Sequence, residues 1–328
     1  MRRSFTIPGR AVAGATTGGA LSALLFAGTA YATPQGGAAL FVAASLCMAS
    51  PLPLALAAWS AGAVGAGIGL SAGLAMATLL TGPLGAAVYA SQFGLGAGLL
   101  GLALKRERAP HVAVGAFAIT TTAAFWALLG VLAVQAGQSP WALVTQTVQA
   151  SLAQAKDLLL RSAADAETAE AARQWAETSG RFLIRAFPGL LAAFGIFVGW
   201  ANALLVRQVL RRRGLPLPVW NTWRLGEHWI WILIGSGLLA LLGGTTGSAA
   251  GLNAFIPAVA VYFLQGLAIL QHLFEAKGFP RVFRGLAYVM LFVQFPIMLL
   301  VAAVGAFDLW VDFRSRWSPP APPTSAET

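Results

Sequence analysis

The chain has 328 residues, of which 58% are apolar and 10% charged, against about 25% charged residues in a soluble domain. Too little polar surface exists to cover a water-soluble particle, so the composition excludes an ordinary soluble enzyme or binding domain. The net charge of +10 does not point to nucleic acid, because the basic residues fall in short clusters between apolar runs, where the positive-inside rule accounts for them.

In chain order, apolar runs long enough for a helix to cross a hydrocarbon core of about 30 Å predict spans at 13–32, 37–57, 60–79, 81–104, 111–136, 184–210, 228–244, 251–273 and 285–306. The expected fold is all-α, a polytopic transmembrane bundle of about nine spans, since a helix satisfies its own backbone in lipid. The runs lack the two-residue alternation of a transmembrane barrel. The expected domains are a six-span unit over 1–214, a three-span unit over 215–317 and a disordered proline-rich tail over 318–328.

The first span follows Arg2, Arg3 and Arg10 and ends at Ala30-Tyr31-Ala32, which has the form of a signal-peptide cleavage site. Retention of the helix is the preferred reading. Ala15, Gly19, Ala23 and Ala27 form a four-residue packing ridge that a discarded leader does not need. In the second span, Pro51 and Pro53 break a regular helix and strand carbonyls, so a short helix followed by a re-entrant or unwound piece is expected there. Span four carries Gly85, Tyr89, Gln92 and Gly96 on one face, span five Thr120, Thr121 and Thr122, span six Asn202, and span eight Tyr262, Gln265 and His272. Polar groups at membrane depth are costly without partners, so each marks an interhelical hydrogen bond or a ligand contact. Tyr89, Gln92, Thr121 and Asn202 are the candidate ligand-binding residues.

Between spans five and six, Trp141, Val144, Val148, Leu152, Ala155 and Leu159 recur at helical spacing. This predicts an amphipathic helix on the membrane surface. A solvated helix bearing Asp165, Glu167, Glu170, Arg173 and Glu177 follows. Together they read as a connector or as a lid over an outward-facing cavity.

Four basic clusters set the orientation: Arg2, Arg3 and Arg10; Lys105, Arg106 and Arg108; Arg207, Arg211, Arg212, Arg213 and Arg224; and Lys277, Arg281 and Arg284. They hold 14 of the 21 basic residues, and an even number of crossings separates every pair. This predicts a bacterial inner-membrane protein with a cytoplasmic N-terminus. Residues 137–183 are then outside, as is the tail if the last span is complete. Arg314 and Arg316 fit an outside tail poorly, which leaves open a last span bent at Pro296.

Arg211, Arg212, Arg213, Trp223 and Arg224 have the character of interfacial anchors that contact lipid headgroups or a cytoplasmic partner. Asp308, Asp312 and Arg316 share a helical face by i, i+4 spacing. They predict an Asp312–Arg316 pair worth about 0.3–0.5 kcal/mol and a contact site.

Catalysis has poor raw material. The three histidines are scattered, no carboxylate pair lies within a span, the lone Cys47 rules out an intramolecular disulfide, and no Walker A sequence occurs. No enzyme activity, metal, cofactor or nucleic-acid partner is therefore expected.

Three segments carry a family resemblance: SPLPLALA (Ser50 to Ala57), the run Phe187 to Gly214 with WRLGEHWIW (Trp223 to Trp231), and FDLWVDFRSR near the end. With these the chain resembles the YybS-like predicted membrane proteins of bacteria, which are similar to the S components of energy-coupling-factor transporters. The resemblance implies a six-helix, solute-binding unit without its own ATPase, in which the Ala15 to Ala27 ridge would meet a transmembrane coupling subunit. The three further spans have no counterpart in that unit. Small-solute binding or transport is the leading expectation; the alternative is a membrane scaffold or assembly factor recruiting partners through Arg211 to Trp231 and Asp308 to Arg316.

Overall fold

The computed structural model describes residues 9–32, 37–162, 165–215 and 223–317. Arg2 and Arg3, the Pro216 to Trp220 stretch and the tail from Ser318 lie outside the described residues. Every described element is helical: α1 (Gly9–Ala32), α2 (Gly37–Met48), α3 (Pro51–Tyr89), a π-helical turn at Ala90–Gly94, α4 (Leu95–Lys105), α5 (Pro110–Ala136), α6 (Pro140–Ser162), α7 (Ala166–Arg212), α8 (His228–Leu242), α9 (Gly244–Ala276), α10 (Arg281–Val293), α11 (Phe295–Val311) and α12 (Phe313–Trp317). The all-α membrane bundle is thus as expected. The chain divides into two compact units, Met1–Leu217 and Pro218–Thr328.

Five helical stretches are long and apolar enough to cross a membrane, or six if the bent pair Val282–Leu291 and Pro296–Val311 counts as one. One of the five, Phe41–Lys105, is 65 residues long, about 98 Å at 1.5 Å per residue, and is not one rod. Gly62 (φ 68°, ψ −150°) and Gly82 (φ 77°, ψ 177°) take conformations open to glycine alone. The chain doubles back at each: a Cβ on Gly65 would strike the Ala57 carbonyl, and Gly73 faces the Tyr89 hydroxyl. The rods 63–81 and 83–105 therefore correspond to the expected third and fourth spans.

The second span differs from expectation in where it breaks. Helix α2 stops at Met48 and α3 begins at Pro51, so the interruption is the turn Ala49–Ser50. Pro51 and Pro53 start a helix, because the first turn has no use for the N–H that proline lacks.

Unit 1 is held by close approach of small residues. The α1 ridge faces inward, with Ala15, Ala23 and Ala27 at 2% exposure or less. A Cβ on Gly19 would run into the Gly69 backbone, and one on Gly18 would lie 2.8 Å from the Pro53 carbonyl. The ridge expected to meet a coupling subunit is thus buried against α3 of the same chain. Further along, Phe117 of α5 lies between Gly96 of α4 and Gly199 of α7, each of which leaves room for the ring only by lacking a Cβ.

Helix α7 runs unbroken for 47 residues, about 70 Å, so it extends well beyond a hydrocarbon core. Its first 18 residues join the expected solvated helix to the sixth span without a break. Helix α6 packs antiparallel on this half: a Cβ on Gly180 would meet Leu152 Cδ1 at 2.9 Å. The expected amphipathic helix is one arm of a projecting hairpin, with part of its apolar stripe packed on the α7 face that carries Ala172, Ala176 and Gly180.

In unit 2, α8 and α9 turn about Gly243–Gly244 (Gly244 φ 63°) and cross closely at Gly251 against Ala240. Helix α8 has 15 residues, about 22 Å, which is shorter than the expected span 228–244 required. Helix α11 runs antiparallel to α9, with Gly266 against Val301 and Gly305 against Tyr262. The expected span 285–306 is broken: α10 and the helix from Pro296 are bent by 104°. Pro296 has no N–H for the carbonyl one turn back, and Gln294 at the corner is extended (φ −110°, ψ 103°).

Candidate functional site

The Ala49–Ser50 turn strands carbonyls inside an apolar bundle, and the surrounding polar residues answer that need. The Met48 carbonyl accepts a 2.8 Å hydrogen bond from Asn202 Nδ2 of α7, which also donates to Val198 O of its own helix at 2.8 Å. The Ser50 carbonyl, one residue before Pro51 and three before Pro53, accepts from Ser22 Oγ of α1 at 2.6 Å. Ser50 Oγ donates in return to Ser22 O at 2.8 Å, and the Tyr89 hydroxyl donates to Ser22 Oγ at 2.8 Å. Ser22, Ser50, Tyr89 and Asn202 are all wholly buried. The break is thus a neutral polar knot tying α1, α2, α3 and α7, and an unsatisfied group there would cost about 1–3 kcal/mol.

Two of the four candidate ligand residues, Tyr89 and Asn202, belong to this knot, and sequence spacing gave no sign of Ser22 and Ser50, which complete it. Thr121 lies elsewhere, buried between α4, α5 and α7, with its hydroxyl bonded to Phe117 O (3.0 Å) and Ala118 O (3.1 Å) of its own helix. Gln92 is half-buried in the π turn. The extra residue of that turn brings Gly94 against the Tyr89 ring, 3.3 Å from a built Cβ, so the expected face Gly85, Tyr89, Gln92, Gly96 is not continuous. The four residues therefore do not converge on one cavity.

A second polar assembly closes one end of unit 2. Helix α11 ends at Val311, and Asp312 takes a left-handed conformation (φ 46°) that turns the chain into α12. That turn interrupts the face expected to hold Asp308, Asp312 and Arg316 together. Asp312 forms an ion pair with Arg224. Asp308 is 2% exposed; its Oδ1 accepts from Phe313 N at 3.0 Å and its Oδ2 lies 3.9 Å from Arg314 Nε. Arg314, 5% exposed, donates to Trp223 O at 2.9 Å. Burial pulls its guanidinium below the usual arginine value, and the charge of Asp308 opposes that shift. Beside them Leu225 N donates to Gln265 Oε1 at 3.2 Å, over a core of Leu225, Ile230, Tyr262 and Ala306. Of the residues expected as partner contacts, Arg224 and Asp312 thus pair with each other, while Trp223 and Asp308 both engage Arg314. Arg211, Arg212, Arg213 and Arg316 are exposed.

An open recess lies outside both assemblies, on the α6–α7 hairpin. This groove of about 370 Å³ is lined by Gln149, Leu152, Ala153 and Lys156 of α6 and by Arg173, Ala176, Glu177, Gly180, Arg181 and Ile184 of α7. Its volume is within the range of small-molecule sites. Arg173 Nη1 pairs with Glu170 Oε2 at 3.2 Å, with both side chains more than half exposed. Among the described residues no group of three His, Cys, Asp or Glu side chains is placed to hold a metal ion.

A family model described as "Predicted membrane protein (DUF2232)" matches residues 20–309. The chain belongs to this family of predicted membrane proteins. The match takes in the knot, the hairpin and, from the junction, Arg224 and Asp308, and ends before Asp312 and Arg314. No curated protein and no solved structure matches the chain significantly.

Proposed function

We propose that this multi-pass membrane protein binds a small ligand in the α6–α7 groove, outside its transmembrane bundle, and catalyses no reaction. The observation that carries this reading is the contrast in occupancy: Tyr89, Thr121 and Asn202 are buried with donors bonded to their own chain, whereas the groove is open and lined by both charged and apolar side chains. A solute path among the first six spans would require those residues to line a void. Solute binding is therefore kept from the leading expectation, and its place moves to the projecting hairpin.

The basic clusters support a bacterial inner-membrane location with Arg211, Arg212 and Arg213 in the cytoplasm. Since α7 ends at these arginines, its projecting half and the groove then face the exterior. A YybS-like relationship and a coupling subunit remain compatible with this reading, but such a subunit would need a docking surface other than the buried α1 ridge.

The test is ligand-dependent thermal stabilisation of the purified protein across a metabolite and amphiphile panel, since a ligand that binds only the folded state raises apparent stability. Ala153→Trp, which fills the groove from a lining position exposed to solvent, is expected to abolish any stabilisation. Stabilisation that persists in Ala153→Trp and is lost in Asn202→Leu would move the site back into the bundle.

A further inference from the structure

The groove's lining defines the kind of ligand it takes, an inference that rests on the ligand-site reading above. Its floor is apolar: Leu152, Ala153, Ala176, Gly180 and Ile184, with Ala176 and Gly180 buried at the helix contact. Its walls carry Lys156, Arg173 and Arg181 against the single carboxylate Glu177, a formal charge of 3 − 1 = +2. Even with Arg173 assigned to Glu170, the excess stays positive. That pair is solvent-exposed and screened by water, so Arg173 can turn to an anion at little cost.

We infer that the groove binds a small anionic amphiphile, a phosphate or carboxylate head joined to a short apolar body. The apolar floor alone would accept any such body, and the cations alone would attract any anion weakly in water. A ligand must present both parts to use both surfaces, and burying the body beside the head lowers the effective dielectric in which the charges meet. The position of the groove suits this chemistry. Ile184 and Arg181 lie where α7 passes from its projecting half into the expected span 184–210, at the height where headgroups and acyl chains adjoin. The head can therefore come from an anionic phospholipid or from a soluble amphiphile that shares its phosphate.

The experiment uses the full chain in phosphatidylcholine nanodiscs and measures binding of dihexanoyl phosphatidylglycerol, dihexanoyl phosphatidylcholine and hexyl phosphate. The expected result is binding of the phosphatidylglycerol at least tenfold tighter than the phosphatidylcholine, with the preference lost in Lys156→Gln/Arg181→Gln. Both residues are on the hairpin surface, and the helical content and elution of that variant check that it folds; Arg173→Gln is a second variant expected to weaken the preference by less. Equal binding of hexyl phosphate supports the anionic-amphiphile class with a soluble source, and binding of the phospholipid alone supports it with a membrane source. Equal affinity for the two phospholipids, or a preference untouched by Lys156→Gln/Arg181→Gln, overturns the inference while leaving a ligand site in place. Failure of all three to bind, with wild type and Ala153→Trp alike, overturns the ligand-site reading as well.

Discussion

The Ser22–Ser50–Tyr89–Asn202 knot and the Arg224–Asp308–Asp312–Arg314 junction solve a similar problem with different chemistry. Each closes a place where a helix stops inside an apolar unit. At the knot the stranded groups are carbonyls, and neutral hydroxyl and amide donors satisfy them. At the junction a carboxylate and a guanidinium are themselves buried, at 1% and 6% side-chain exposure. Neutral hydrogen bonds lose little when remade elsewhere, whereas a charge left alone in low dielectric has no comparable escape. Loss of one member should therefore be tolerated at the knot and not at the junction.

The largest effect is expected for Asp308→Ala, which leaves the Arg314 guanidinium buried beside a methyl group. Breaking a buried pair in this way costs about 3–5 kcal/mol, to be read as a fall in the midpoint of thermal unfolding of the protein in detergent. Pairing it with Arg314→Met should recover much of the loss, because no uncompensated charge then remains. A double variant no more stable than Asp308→Ala would show that the residues act independently and that the junction is no ion pair.

Asn202→Leu comes next. It keeps the volume and removes the side-chain donor to Met48 O, so about 1–3 kcal/mol is expected, with Ser22→Ala below it at about 1 kcal/mol. Destabilisation by Asn202→Leu as large as by Asp308→Ala would erase the distinction between neutral and charged closure.

Much of this fold can be read in the sequence, for identifiable reasons. Turns at Gly62 and Gly82 separate apolar runs of membrane length, so the expected ends at 57/60 and 79/81 fall within a few residues of the reversals. That the chain breaks near Pro51 is legible too, because proline acts locally, although the break falls at Ala49–Ser50, before the prolines, which open the next helix. The remedy for the break is not: Ser22 and Asn202 lie 28 and 154 residues from the groups they satisfy, and no periodicity connects them. The same holds for Arg224 and Asp312, 88 residues apart, which is why Asp312 was matched with Arg316 on its own helix. Tyr89 and Asn202 read as polar residues needing partners, and the chain itself supplies acceptors for the Tyr89 hydroxyl and the Asn202 amide N–H groups. The hairpin groove left no strong trace, since Lys156, Arg173 and Arg181 look like ordinary solvated charges until α6 is laid on α7.

Arg224→Ala separates the exposed part of the junction from its buried part. The Arg224–Asp312 side chains are 47% and 44% exposed, so solvent and salt screen the pair. A loss of about 0–1 kcal/mol is expected, vanishing at high ionic strength, whereas the Asp308→Ala defect should survive added salt. A large, salt-resistant effect of Arg224→Ala would mean that the whole junction behaves as one buried network.

The smallest effect belongs to the projecting end of α7, where the closing group is charged and fully solvated. Asp165 caps the helix, accepting from Thr168 N at 2.8 Å, while Thr168 Oγ1 accepts from Asp165 N in return. The backbone hydrogen bond from Thr168 holds the Asp165 carboxyl below its ordinary value. A carboxyl depressed in the folded state contributes above its unfolded pKa, near 3.9, and loses that contribution as pH falls through the folded value. The cap should hence be intact at neutral pH and weaken only in acid. Hydrogen exchange of the amides of residues 166–169 is the measurement: Asp165→Ala is expected to raise their exchange at pH 7 to the level wild type reaches at acid pH, after correction for intrinsic rates, without changing exchange near Asn202. Coupled loosening of the knot would show that α7 transmits strain along its 47 residues, and the hairpin could then no longer be treated as a head whose ligand leaves the bundle undisturbed.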